Sequence, residues 1–210
     1  MTTNIPWSVV LFKSIDRTND PRSQSFVIEP YVNAPARYQE YDPIAPRVAT
    51  LIAARIAEIE PKLAVEHVGS TAVPGCAGKG IVDLAVLYED GGLDKAKQVL
   101  DTLGFQRQTT RDPFPEDRPM RVGAISYAGR IYQLHAHVIR EDSSEIIKLR
   151  GFRDRLRADP ELREAYESTK RQIIAAGVTD SVAYCEAKGS FIRQVLEPGA
   201  VADFKNLADR

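Results

Sequence analysis

Val65-Glu66-His67-Val68-Gly69-Ser70-Thr71-Ala72-Val73-Pro74-Gly75-Cys76-Ala77-Gly78-Lys79-Gly80-Ile81-Val82-Asp83-Leu84-Ala85-Val86 is the stretch whose reading decides the fold. Two apolar segments of strand character, residues 63–68 and 81–87, flank a hinge of glycine and small residues. Gly69-Ser70 ends the first segment, where bare backbone and a hydroxyl can approach a ligand closely. Asp83 lies inside the second, in a run otherwise fit for burial. A carboxylate there is costly unless it is paired, metal-bound or at the exposed end of its strand. Asp83 is therefore the first candidate for chemistry.

Strand, Gly-Ser, short connection, then a strand carrying Asp-x-Asp or Asp-x-Glu is the core pattern of the nucleotidyltransferase superfamily, which this stretch resembles. More specifically, His67-Val68-Gly69-Ser70-Thr71-Ala72-Val73-Pro74-Gly75, with Lys79 and Ile81-Val82-Asp83-Leu84, closely resembles the GrpB family. The resemblance continues through His135-Ala136-His137-Val138 and Gly151-Phe152-Arg153-Asp154-Arg155-Leu156-Arg157. It takes in Tyr166 with Lys170 and Tyr184 with Lys188, so that it covers roughly residues 41–196. It implies a nucleotidyltransferase-like fold and a nucleotide or phosphometabolite ligand. Family members also occur fused to dephospho-coenzyme A kinase, which implies coenzyme A or adenylate ligands by association. One departure matters. Ala85 stands where the superfamily carries its second carboxylate, and that argues against a two-metal mechanism.

The 210 residues allow one domain with a sizeable core, and the formal net charge of −1 supplies no global attraction to nucleic acid or an anionic membrane. Cys76 and Cys185 lie far apart without C-x-x-C spacing, so neither a disulfide framework nor a zinc ribbon is indicated, and a reducing cytoplasm fits. The apolar run at residues 5–12 is too short to span a bilayer and lacks the flanks of a signal peptide.

Residues 1–25 read as an N-terminal extension, partly flexible, residues 26–197 as a single domain, and residues 198–210 as a tail. Residues 26–31 suggest a short edge strand closed by Pro30. Asp42-Pro43 predicts a helix entry, followed by apolar residues near helical spacing from Ile44 to Ile59. A second helix is expected at residues 93–103, ending at Gly104. The polar, proline-bearing residues 105–120 read as a strand connection or a loop over the site. Strands are expected at residues 121–127 and 131–139. Asp142 with Glu145 forms a candidate capping box. Asp159-Pro160 starts a further helix that ends at Gly177, and Thr179 or Asp180 starts the last. The expected fold is α/β in the broad, α+β sense: a mixed sheet of about five strands with packed helices, plus C-terminal helices.

The chain has three histidines. Alternation along Gln133-Leu134-His135-Ala136-His137 puts His135 and His137 on one strand face. Sheet-face histidines are the ordinary reading. Convergence of His67, His135 and His137 with Asp83 would instead suit a divalent transition metal. For a divalent ion at Asp83 in general, Mg²⁺, Mn²⁺ and Zn²⁺ are the candidates. Gly69, Ser70 and Thr71 could bind phosphate oxygens as an anion nest, or simply form a turn that needs small residues. Lys79 and, from the resemblance, Arg153 are further candidates for binding phosphate. Tyr166 and Tyr184 read as packing residues. Ser70 with His67 and Asp83 is not a serine-hydrolase set, because no G-x-S-x-G elbow is present.

The expected function is binding of a nucleoside triphosphate or related phosphometabolite, with transfer of a nucleotidyl group to an acceptor. In that reaction Asp83 and Ser70 are the catalytic candidates. The alternative is a non-catalytic module for a nucleotide or coenzyme A-related ligand that has lost the second carboxylate.

Overall fold

The structure, a computed structural model, describes residues 26–35, 37–110 and 112–197. The expectations for residues 1–25 and 198–210 lie outside it.

A five-stranded mixed sheet runs in the order β1-β2-β5-β4-β3. Its strands are β1 (Ala64–Val68), β2 (Val82–Tyr88), β3 (Gln106–Arg107), β4 (Met120–Tyr127) and β5 (Arg130–Arg140). β1 is antiparallel to β2, β2 parallel to β5, and β5 antiparallel to β4, which pairs antiparallel with β3. A two-residue turn at Ala128-Gly129, both at positive φ, joins β4 to β5, the twist that a tight hairpin needs. The helices are α1 (Ala45–Ile59), α2 (Leu93–Leu103), α3 (Ser144–Ala158), α4 (Pro160–Ala175) and α5 (Ser181–Leu196).

The period-2 alternation of the central strands sorts their side chains onto two faces. Val82, Leu84 and Val86 of β2, with Leu134, Ala136 and Val138 of β5, pack in one core with Val48, Ile52 and Ile56 of α1 and Val99 and Leu100 of α2. Ala85 and Leu87 of β2 and Ile139 of β5 point the other way, where Ile146 of α3 covers them. Asp83, His135 and His137 belong to this second face. A separate core of Leu156, Leu162, Tyr166, Phe191 and Val195 ties α3, α4 and α5 together and takes in Val73 and Cys76 from the hinge.

Three local expectations change. α1 begins at Ala45 with Ile44 at its N-cap and no side-chain cap; Asp42 instead closes the preceding turn, its Oδ1 accepting from the Ile44 N–H at 2.9 Å. The edge strand at residues 26–31 is reduced to a single bridge, Glu29 to Ala124, with Ile28 buried. The capping box does not form. Arg140 Nε donates to Asp142 at 2.6 Å, Arg118 engages Glu145, and α3 starts after Ser143 without a side-chain cap. Asp159 and Asp180 do cap α4 and α5, accepting from the N–H groups of Leu162 and Ala183 at 3.0 Å each. Among the described residues no helix is long and apolar enough to cross a membrane.

Candidate functional site

The hinge between β1 and β2 is held open by backbone geometry. Gly69 sits at φ 72°, ψ −172°, a conformation open to glycine alone, and a Cβ there would run into Asp83 Oδ2. Asp83 pairs in register with Val68, so its carboxylate lies directly against the Gly69 backbone. Ser70 begins a 3₁₀ turn, Ser70–Ala72, and its Oγ packs against Gly78, where a Cβ would stand 2.8 Å from it.

The C-terminal helices grip this hinge through its main chain. Arg157 Nη2 donates to Ala72 O at 2.8 Å, and Arg153 Nη1 donates to His67 O at 3.1 Å. The Ala77 N–H donates to Glu167 at 3.3 Å, and buried Lys170 donates to Ala77 O, with Cys76 Sγ 3.4 Å away. Gln39 pairs with Gly78 through both backbone bonds, at 2.7 and 2.9 Å. The loop is thus stapled at several carbonyls and amides in addition to the burial of Val73 and Cys76.

On the second sheet face Asp83 stands in register with His135, and Ala85 with His137. His135 Nδ1 lies 3.3 Å from Asp83 Oδ1, and its Nε2 lies 3.0 Å from the Tyr31 hydroxyl. One donor atom from each of Asp83, His135 and His137 falls within 4.8 Å of the others. Burial alone would raise the Asp83 carboxyl, but the hydrogen bond and charge of His135, helped by His137 and Lys188, hold it below the ordinary range. Burial pushes His137 down to about 4, so at neutral pH it is a neutral imidazole. A quarter of the Asp83 side chain, 25%, remains exposed.

Lysines from the hinge and from α5 face this cluster. Lys79 Nζ and Lys188 Nζ lie 5.1 and 5.4 Å from the centroid of the Tyr184 ring. Burial lowers Lys79, and Lys188 adds to that effect. Lys188 itself is held above its ordinary value, first by Tyr166 and then by Cys185, Asp83 and Tyr184, against its burial. A carboxylate and two nearby ammonium groups make a site suited to a polyanion accompanied by a cation.

Several candidates lie elsewhere. His67 shares the register and face of Leu84, the face opposite Asp83, so strand alternation removes it from the ligand cluster. Thr71 Oγ1 spends its proton on Ile81 O at 2.9 Å, so His67 Nε2, 3.0 Å away, must donate to Thr71. His67 and Thr71 together clasp the hinge. Arg153 is drawn into an ion-pair network with Glu66 at 3.3 Å and Asp154 at 2.8 Å. A small polar concavity lined by Gln39, Asp42, Thr71, Gly78, Arg130 and Tyr132 contains none of Asp83, His135 or His137. Of its two carboxylates, Glu40 and Asp42, the latter already accepts from Arg130 and Tyr132 at 2.7 and 2.8 Å.

Two residues beside the cluster, Lys188 and Tyr31, are not among the site candidates that the sequence offers. Lys188 had a signal: it follows Tyr184 by one helical turn, so both share a face of α5. Tyr31 had none, since its contact with His135 spans 104 residues.

Comparison with known proteins agrees with this architecture. The profile of the family described as GrpB protein matches residues 35–198. The UPF0157 protein BH1888 of Halalkalibacterium halodurans is 30% identical over 169 residues, covering 79% of this chain and 83% of that protein. The crystal structure of the conserved protein GrpB from Enterococcus faecalis superposes with a TM-score of 0.58 at 22% identity, over 82% of this chain and 99% of that one. The MgGTP-bound Cid1 poly(U) polymerase is more distant, with a TM-score of 0.44 at 15% identity, over 61% of this chain and 42% of that one. With its hinge string, its mixed sheet and this match over most of its length, the chain belongs to the GrpB family.

Proposed function

We propose that this protein binds a nucleoside triphosphate or a related phosphometabolite between the Gly69-Ser70 hinge and α5, and holds it rather than transferring its nucleotidyl group. The observation that carries this reading is that Asp83, packed on the Gly69 backbone, lies within the electrostatic reach of Lys79 and Lys188, both of which stand beside the Tyr184 ring. The lysines neutralise phosphate oxygens, Tyr184 keeps their ammonium groups at the site, and Asp83 would hold a divalent ion that offsets the remaining phosphate charge. The hinge amides that follow Gly69 supply further donors.

Transfer of the nucleotidyl group is a second reading, favoured by Asp83 lying at the Gly-Ser hinge as in the nucleotidyltransferase pattern. Ala85 weighs against it. The neighbours of Ala85 in register are His137 and Glu66, and Glu66 is already engaged by Arg150 and Arg153. No side chain in register with Ala85 offers an unengaged carboxylate.

Thermal-shift and calorimetric titrations with the four common nucleoside triphosphates, coenzyme A and dephospho-coenzyme A, each with Mg²⁺, Mn²⁺ or Zn²⁺, test the proposal. At least one should bind and raise Tm, and Lys188→Met should weaken it at least tenfold. A panel without binding, or binding indifferent to both Lys188→Met and Lys79→Met, would overturn the reading.

A further inference from the structure

The nucleotidyltransferase-like pattern implies Mg²⁺ held by two carboxylates two positions apart on a strand, and the residues here do not fit that ion. Mg²⁺ demands oxygen ligands in near-octahedral array. Position 85 offers only a methyl group, and the ligand-bearing side chains beside Asp83 on its own sheet face are imidazoles. Glu66 occupies the place beside Ala85 on β1, but the Arg150 and Arg153 guanidinium groups cover its carboxylate.

We infer that Asp83, His135 and His137 form a mononuclear site for a divalent transition ion such as Zn²⁺, Mn²⁺ or Fe²⁺. Two imidazole nitrogens and one carboxylate oxygen are the donor set such ions prefer and Mg²⁺ does not. The parallel register of β2 and β5 builds it: His135 lies across from Asp83, and His137 across from Ala85, whose small side chain leaves the ring room. The His135 and His137 rings meet edge to face with centroids 6.4 Å apart, and Phe114 packs on His137 at 5.5 Å. Phe114 comes from the polar connection expected to lie over the site, so an apolar wall backs the cluster.

Metal–ligand bonds of roughly 2.0–2.2 Å place donors on one ion about 3–3.5 Å apart. The pair His135 Nδ1 and Asp83 Oδ1, at 3.3 Å, already meets this spacing. The full set, within 4.8 Å, needs a contraction of up to about 1.5 Å, within reach of side-chain rotation. Three protein donors leave coordination positions open to water or to a phosphate oxygen.

An outer partner is also present. Ligating histidines donate their second ring N–H to a fixed acceptor, which sets tautomer and orientation. With Nδ1 turned to Asp83, His135 presents Nε2 to the Tyr31 hydroxyl at 3.0 Å. Tyr31 is itself anchored where its backbone N–H meets Gln106 Oε1 at 3.1 Å. It is a positioning residue, and it precedes the segment 35–198 matched by the family profile.

The inference stands apart from the nucleotide reading, because the metal is tested alone. Chelator-stripped full chain carrying Cys185→Ser, which removes an exposed thiol, is titrated with Zn²⁺, Co²⁺, Mn²⁺ and Mg²⁺ by calorimetry. Metal analysis gives the stoichiometry, and the visible absorption of bound Co²⁺ reports nitrogen ligation. One Zn²⁺ or Co²⁺ per chain is expected, undisplaced by a large excess of Mg²⁺. His135→Gln, His137→Gln and Asp83→Asn should each weaken it at least tenfold while circular dichroism stays native. Tyr31→Phe should weaken it about tenfold with the stoichiometry intact, and His67→Gln should leave it unchanged. Should His137→Gln fail to fold, the more exposed His135→Gln and Asp83→Asn carry the same test. Failure to bind any transition ion, equal competition by Mg²⁺, or binding that survives both His135→Gln and Asp83→Asn would overturn the inference.

Discussion

At the scale of single residues, His67 and Gly69 show how the hinge is made. Burial depresses His67 to about 4, from an unfolded value of roughly 6.5. Between those values the folded state binds fewer protons than the unfolded state, so this contribution to stability rises with pH. It is complete above about pH 6.5 and lost as pH falls toward 4. His137, also near 4, acts in the same direction and over the same window. His67→Gln keeps an N–H for Thr71 but cannot titrate. Chemical denaturation between pH 7 and 4 should therefore give a shallower loss of stability in the variant, and an unchanged slope would refute the assignment. Gly69→Ala forces a positive φ on alanine and drives its Cβ into Asp83, so it should destabilise by roughly 2 kcal/mol or more. Ligand binding should be lost along with stability in that variant.

At the scale of elements, α3 is fastened to the sheet by charge as much as by Ile146. Arg150 and Arg153 both engage Glu66 on β1, and Arg153 also holds the His67 carbonyl. Arg153→Met should lower stability by roughly 1–2 kcal/mol in denaturant unfolding while leaving nucleotide affinity within twofold. A tenfold loss of affinity with stability unchanged would return Arg153 to the binding site. The element pattern itself was largely legible. Gly104 and the Asp159 and Asp180 caps act where their spacing predicted, and the alternation that pairs His135 with His137 could be read from β5 alone. What could not be read was which strands are neighbours. The parallel pairing of β2 with β5 brings Asp83 to His135 across a long separation in sequence, and no local pattern encodes that register. His67 was grouped with the other histidines for the same reason: its face becomes evident only once β1 is registered against Leu84 of β2. The capping box failed because Arg140 and Arg118, whose positions depend on tertiary packing, took both of its carboxylates.

At the scale of the molecule, the sheet supplies Asp83, His135 and His137, and the C-terminal helices supply Lys188 and the grip on the hinge. Loss of the second carboxylate at Ala85 predicts that pyrophosphate release from Mg²⁺–ATP stays near background even where the nucleotide binds. Efficient Mg²⁺-dependent release that survives Asp83→Ala would contradict the assignment of Asp83. The central claim is that one site takes both a transition ion and a phosphate-bearing ligand. Its most direct test is an anomalous difference map, at the zinc edge, from crystals grown with Zn²⁺ and a non-hydrolysable ATP analogue. The account predicts one peak coordinated by Asp83, His135 and His137, with analogue phosphates against Lys79 and Lys188. A peak at His67 or Cys185, or phosphates seated in the concavity at Asp42 and Tyr132, would contradict it.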